Sequence, residues 1–138
     1  MSMSKSQTLW LVLLPALWLA GCATTSSQWQ QVGITEQGTI AYSVDKNSIQ
    51  KQGNIAKFKA QTKYLKVNVA PQNFPAHETT ITTWEMNCLS GVYRPLQTEL
   101  LDKNGKVIHS STITADFQPA PSRETAMYRQ RQLVCKGK

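Results

Sequence analysis

Residues 55–64 read Ile-Ala-Lys-Phe-Lys-Ala-Gln-Thr-Lys-Tyr, and no other stretch constrains the fold as tightly. In an extended chain Ala56, Phe58, Ala60 and Tyr64 fall on one side, while Lys57, Lys59, Gln61 and Lys63 fall on the other. One face of this strand is built to pack and the other is a row of lysines that must meet water. A sheet with one covered and one solvated face is characteristically antiparallel.

The flanking segments fit such a sheet. Residues 29–32 lead into Gly38-Thr39-Ile40-Ala41-Tyr42-Ser43-Val44, where Ile40, Tyr42 and Val44 recur at period two. Asp45-Lys46-Asn47-Ser48 carries turn chemistry and predicts a short helical turn through Ile49, and Gly53-Asn54 opens the lysine strand. Pro71 and Pro75 bracket a loop around Phe74. Strand character resumes over residues 79–88, where Trp84, Met86 and Cys88 share the apolar side. Residues 92–101 and 107–113 form a hairpin across Asn104-Gly105, the strongest local turn signal in the chain. Alternation places Arg94 with Val92 and Leu96, as an inward-facing hydrogen-bonding anchor near the C-terminal helix described next.

After the Pro-rich stretch ending at Pro121 the period changes. Ser122 is a suitable helix cap, with Glu124 in the first turn to complement the dipole. Glu124, Met127, Tyr128, Arg131, Val134 and Cys135 then recur at helical spacing. The fold class is therefore α+β: an antiparallel sheet of about six strands, with one C-terminal helix packed on one face. Cys88 lies on the packed side of a strand and Cys135 on the packed side of the helix, so a disulfide between them would clamp helix to sheet. The rival reading, two reactive or metal-binding thiols, lacks a CxxC pair or a histidine at metal spacing.

The third cysteine belongs to a different feature. A polar start with one cation, Lys5, is followed by an apolar run over residues 9–20 and then Leu19-Ala20-Gly21-Cys22. A charged start, a short apolar core and small residues at the cut mark a secretory signal peptide, and the run is too short for a permanent transmembrane helix. Leu-Ala-Gly-Cys resembles the lipobox of bacterial lipoproteins. The resemblance implies cleavage before Cys22 and fatty acylation (diacylglycerol, palmitate) of Cys22, the only cofactor-like group expected. The competing reading is an ordinary signal peptide cut near Ala20, with Cys22 a free or bonded thiol. The lipid reading leaves Cys88 and Cys135 as an even pair in an oxidising compartment.

The chain thus divides into residues 1–21, a signal peptide that is removed; residues 22–28, a polar lipidated tether; and residues 29–138, one domain. Removing 21 of 138 residues leaves 117, enough for a single core, and losing Lys5 lowers the formal charge from +7 to +6. A basic surface favours anionic partners such as lipid head groups, sulfated glycans or acidic protein segments. Nucleic acid is excluded by compartment.

Taken in order, several segments resemble the bacterial surface-adhesin protein E family. They are Tyr42-Ser43-Val44-Asp45-Lys46-Asn47-Ser48-Ile49, Gly53 with the strand to Tyr64, Trp84-Glu85-Met86-Asn87-Cys88, Tyr93-Arg94-Pro95-Leu96, Gly105, residues 117–122 and Val134-Cys135. The resemblance implies an antiparallel sheet with a disulfide-tied C-terminal helix, and adhesion to host matrix proteins such as laminin and vitronectin. It carries over only the two cysteines as site residues, because fold does not carry function.

Three functional classes follow. The first is an outer-membrane lipoprotein at the cell surface, anchored through Cys22, that binds a host matrix protein or sulfated glycan through Lys57, Lys59 and Lys63; a merely solvated strand face is the bland reading of those lysines. The second is a periplasm-facing structural or regulatory lipoprotein docking on another envelope protein. Ala23 after the lipidated cysteine, where an aspartate would imply inner-membrane retention, points to the outer membrane in either case. The third, an enzyme, has little to rest on. His77 and His109 are the only histidines, and the chain lacks G-x-S-x-G, H-E-x-x-H and a Gly-rich phosphate loop. No catalytic residues and no metal ligands are therefore assigned.

Overall fold

A computed structural model describes residues 28–66 and 76–136. The strands are β1 (Trp29–Ile34), β2 (Ile40–Asp45), β3 (Gln50–Gln52), β4 (Ile55–Tyr64), β5 (Thr79–Asn87), β6 (Tyr93–Leu101) and β7 (Val107–Thr112), followed by one helix, α1 (Ala126–Val134). They form one antiparallel sheet in the order β1-β2-β4-β5-β6-β7, with β3 folded back on the first half of β4. The lysine strand is thus central, paired along its whole length.

Register explains the core. Val44 lies opposite Ala60, Phe58 opposite Trp84, and Ala56 opposite Met86, which puts all six side chains on one face. Val44, Ala56, Phe58, Ala60 and Met86 are buried there in one cluster with Val134 of α1, and Cys88, Tyr93, Met127 and Leu133 pack around it. Trp84 and Tyr93 meet edge to face with centroids 5.6 Å apart, a geometry aromatic quadrupoles favour. The expected disulfide is present: Cys88 and Cys135 are bonded across 47 residues, and Cys135 Sγ lies 3.8 Å from Met86 Sδ, beside the core.

Turn chemistry behaves as the sequence predicts at two corners. Asp45 Oδ1 accepts from the Asn47 N–H and opens a single 3-10 turn, Lys46–Ser48. Asp102 Oδ1 accepts from the N–H groups of Asn104 and Lys106, and Gly105 at φ +77° closes the β6–β7 hairpin.

Three details differ from the sequence reading. β3 is an additional strand; Gln-Lys-Gln has no apolar alternation, and it pairs only because Gly53 at φ +60° turns the chain back onto β4. The helix starts later than Ser122 implies. Thr125 is its N-cap, accepting through Oγ1 from the Tyr128 N–H at 3.2 Å, so Glu124 precedes the helix rather than sitting in its first turn. Ser122 offers only its carbonyl, which holds Thr125 from the preceding turn. Finally, Arg94 is not an inward anchor. It lies opposite Glu85, which lies opposite Lys57, so all three share the lysine face.

Candidate functional site

The face of the sheet opposite the core carries the candidate residues. Lys57, Lys59 and Lys63 are exposed on β4. Strand geometry separates Lys57 from Lys59 by about 7 Å and Lys59 from Lys63 by about 14 Å, with Gln61 between. Lys57 is flanked in register by Gln50 and Glu85, Lys59 by Thr83, and Lys63 by Ala41 and Thr79. The 3-10 turn supports the middle of the row, since Ser48 Oγ accepts from the Lys59 N–H at 2.8 Å.

Glu85 is the carboxylate placed to neutralise Lys57, and Arg94 holds it instead. Arg94 Nη2 lies 2.8 Å and Nε 3.0 Å from Glu85 Oε1, and the Phe117 ring covers the guanidinium 4.4 Å from its centroid. The Arg94 side chain is 37% exposed against 14% for Glu85, so the pair contributes at most about 1 kcal/mol to stability. Its consequence is electrostatic. Among the described residues this is the one ion pair, and none of the three lysines has a carboxylate within salt-bridge distance. Cations without a described carboxylate partner, set on one face of a paired central strand, suit contact with an extended anion.

The sequence reading missed the Arg94–Glu85–Phe117 group because β6 is not regular. Trp84 pairs with Pro95 and Thr83 with Gln97, so Leu96 is an extra residue in a bulge. Proline cannot donate to the ladder, and a bulge beside it is a usual way to accommodate that. Pro95 was the one available signal.

Other predicted residues fall elsewhere. Cys22 and the loop around Phe74 lie outside the described residues. His77 is buried edge-on against Tyr64, centroids 5.5 Å apart, whereas His109 is exposed on β7. Among the described residues no group of three or more His, Cys, Asp or Glu side chains could hold a metal, and no helix is long and apolar enough to cross a membrane.

A second feature was invisible in the sequence. Between β1 and α1 lies an open depression of about 900 Å³, lined in part by Gln30, Gln31, Arg129, Arg131 and Lys136. Arg129 lies against the Gly33 backbone at a bulge in β1, and Arg131 against Gly91, with its Nη2 donating to the Cys88 carbonyl at 3.3 Å.

The model of a family described as surface-adhesin protein E matches residues 29–136. Two solved structures of Haemophilus influenzae protein E share the fold. The first is 17% identical, covers 76% of this chain and 83% of its own, and gives a TM-score of 0.54. The second, from crystal form II, is 15% identical, covers 76% and 86%, and gives 0.50. No curated protein sequence matches the chain.

Proposed function

The chain belongs to the surface-adhesin protein E family, whose members are adhesin-like surface proteins, and from that premise we propose that it is a non-catalytic binding module. In this reading Cys22 carries lipid, anchors the protein to the outer membrane, and leaves the lysine face free for an acidic host matrix protein or sulfated glycan. The observation that carries it is the unneutralised row: Lys57, Lys59 and Lys63 stand on one face while Arg94 occupies the Glu85 carboxylate. The helix lies on the other face, as the burial of Val134 among Val44, Phe58 and Met86 supports, so docking on the lysine side need not disturb the core.

The test is a salt series of heparin binding on the wild type and on the triple variant Lys57→Gln, Lys59→Gln, Lys63→Gln, with melting curves alongside. Exposed charges are screened over about 8 Å at physiological ionic strength, so wild-type binding should fall steeply with salt. The triple variant should melt as the wild type does and bind about tenfold more weakly at low salt, taking roughly 0.5 kcal/mol per exposed charge pair. Equal binding by the variant, or salt-independent binding, returns the lysines to a solvated face. The lipid anchor is tested separately: fatty-acid labelling should be lost in Cys22→Ser.

A further inference from the structure

We propose that the depression between β1 and α1 is the surface that rests on the membrane, gripping anionic phospholipid head groups and turning the lysine face outward. This rests on the lipid anchor at Cys22 from the reading above, and deepens it by assigning an orientation.

Three observations converge. The first is where the tether ends. The Gln28 N–H donates to Asp45 Oδ1 at 2.9 Å and its carbonyl accepts from the Lys46 N–H at 2.9 Å, which pins the start of the domain to the β2 corner. Six residue steps separate Cys22 from Gln28 and span at most about 20 Å. The depression begins two residues further on, at Gln30. A lipid on Cys22 therefore holds this end of the domain within reach of the bilayer surface.

The second is charge. Arg129, Arg131 and Lys136 line the depression with glutamines and Tyr128, and no acidic residue lines it; β1 and α1 contain none. None of the three cations has a carboxylate partner among the described residues. Lys51 extends the patch, with its Nζ donating to the Lys136 carbonyl at 3.4 Å. The third is order: the Arg129 guanidinium is laid on Gly33 of β1, so its fork is held before any phosphate arrives, while Arg131 lines the depression but rests its guanidinium on Gly91 and the Cys88 carbonyl. Planar guanidinium forks are suited to phosphate oxygens. The lysine row projects from the opposite face of the sheet.

The experiment uses the lipidated chain inserted from detergent into preformed vesicles of phosphatidylcholine alone or mixed with phosphatidylglycerol. Amine acylation read by mass spectrometry reports Lys51 and Lys136 against Lys57, Lys59 and Lys63. In phosphatidylglycerol vesicles Lys51 and Lys136 should react at least fivefold more slowly than in phosphatidylcholine, while the β4 lysines react equally in both. Each cation near an anionic surface shifts the docked-to-free ratio about fivefold, so Arg129→Gln should remove about that much protection.

Vesicle-bound protein whose Lys136 reacts alike in both lipids overturns the inference alone. Protection of the β4 lysines instead overturns it and the outward-facing lysine row together. Protein that fails to float with either vesicle overturns the lipid anchor, and this orientation with it.

Discussion

Removing the Cys88–Cys135 bond is the perturbation whose size the structure fixes best. The bond ties residues 47 apart in sequence, and in the chain-entropy account a loop of that length restricts the unfolded chain by about 4 kcal/mol. Unfolding entropy of about 2.1 cal/mol/K per residue gives about 0.23 kcal/mol/K for the roughly 110 residues of the domain. The double variant Cys88→Ala/Cys135→Ala should therefore melt about 15–20 °C below the oxidised wild type. The assay is thermal unfolding by circular dichroism on oxidised wild type, reduced wild type and the double variant. The reduced protein separates chain constraint from packing, since it keeps both cysteine side chains, including the Cys135 sulfur that lies beside Met86. Both should lose most of the same increment. A fall of less than about 4 °C, equivalent to about 1 kcal/mol, would refute the reasoning, and would mean that Val134 and its neighbours hold the helix without help from the bond.

Two further outcomes follow from the backbone. Gly91→Ala should cost about 2–4 kcal/mol, combining left-handed strain at φ +83° with a Cβ only 2.7 Å from Arg131 Cζ and 2.9 Å from Ala120 Cβ; Gly53→Ala, at φ +60° with nothing within 4 Å, should cost only about 1–2 kcal/mol. Urea unfolding of the two checks this, and equal losses would contradict the close approach at Gly91. Thr125→Ala should destabilise by about 1 kcal/mol through loss of the cap, while Ser122→Ala, whose carbonyl alone is used, should be neutral in the same assay; the reverse order would restore Ser122 as the cap.

How much of this was legible depends on the distance over which each feature is encoded. The face of β4 was readable because alternation is a local property: Phe58 inside and Lys59 outside follow from adjacent positions, whatever the strand pairs with. The disulfide was readable for the same reason, since Cys88 and Cys135 each follow directly on an element, β5 or α1, whose period points them to the packed side. Arg94 was misread because one bulged residue, Leu96, breaks the register that a regular strand would keep. A one-residue slip reverses which face a side chain joins. The helix cap was misplaced by three residues because Ser122 and Thr125 offer the same chemistry, and only the turn between them decides which hydroxyl reaches an open N–H. The depression was beyond any local reading. It joins residues 30–32 to residues 128–136, and its two arginines are positioned by Gly33 and Gly91 rather than by neighbours in sequence. In the linear chain those arginines look like ordinary helix cations near a C-terminus, where the macrodipole alone would account for Arg131. Only the edge position of β1 beside the helix places Arg129, unpaired with any described carboxylate, at the end of the domain where the tether arrives.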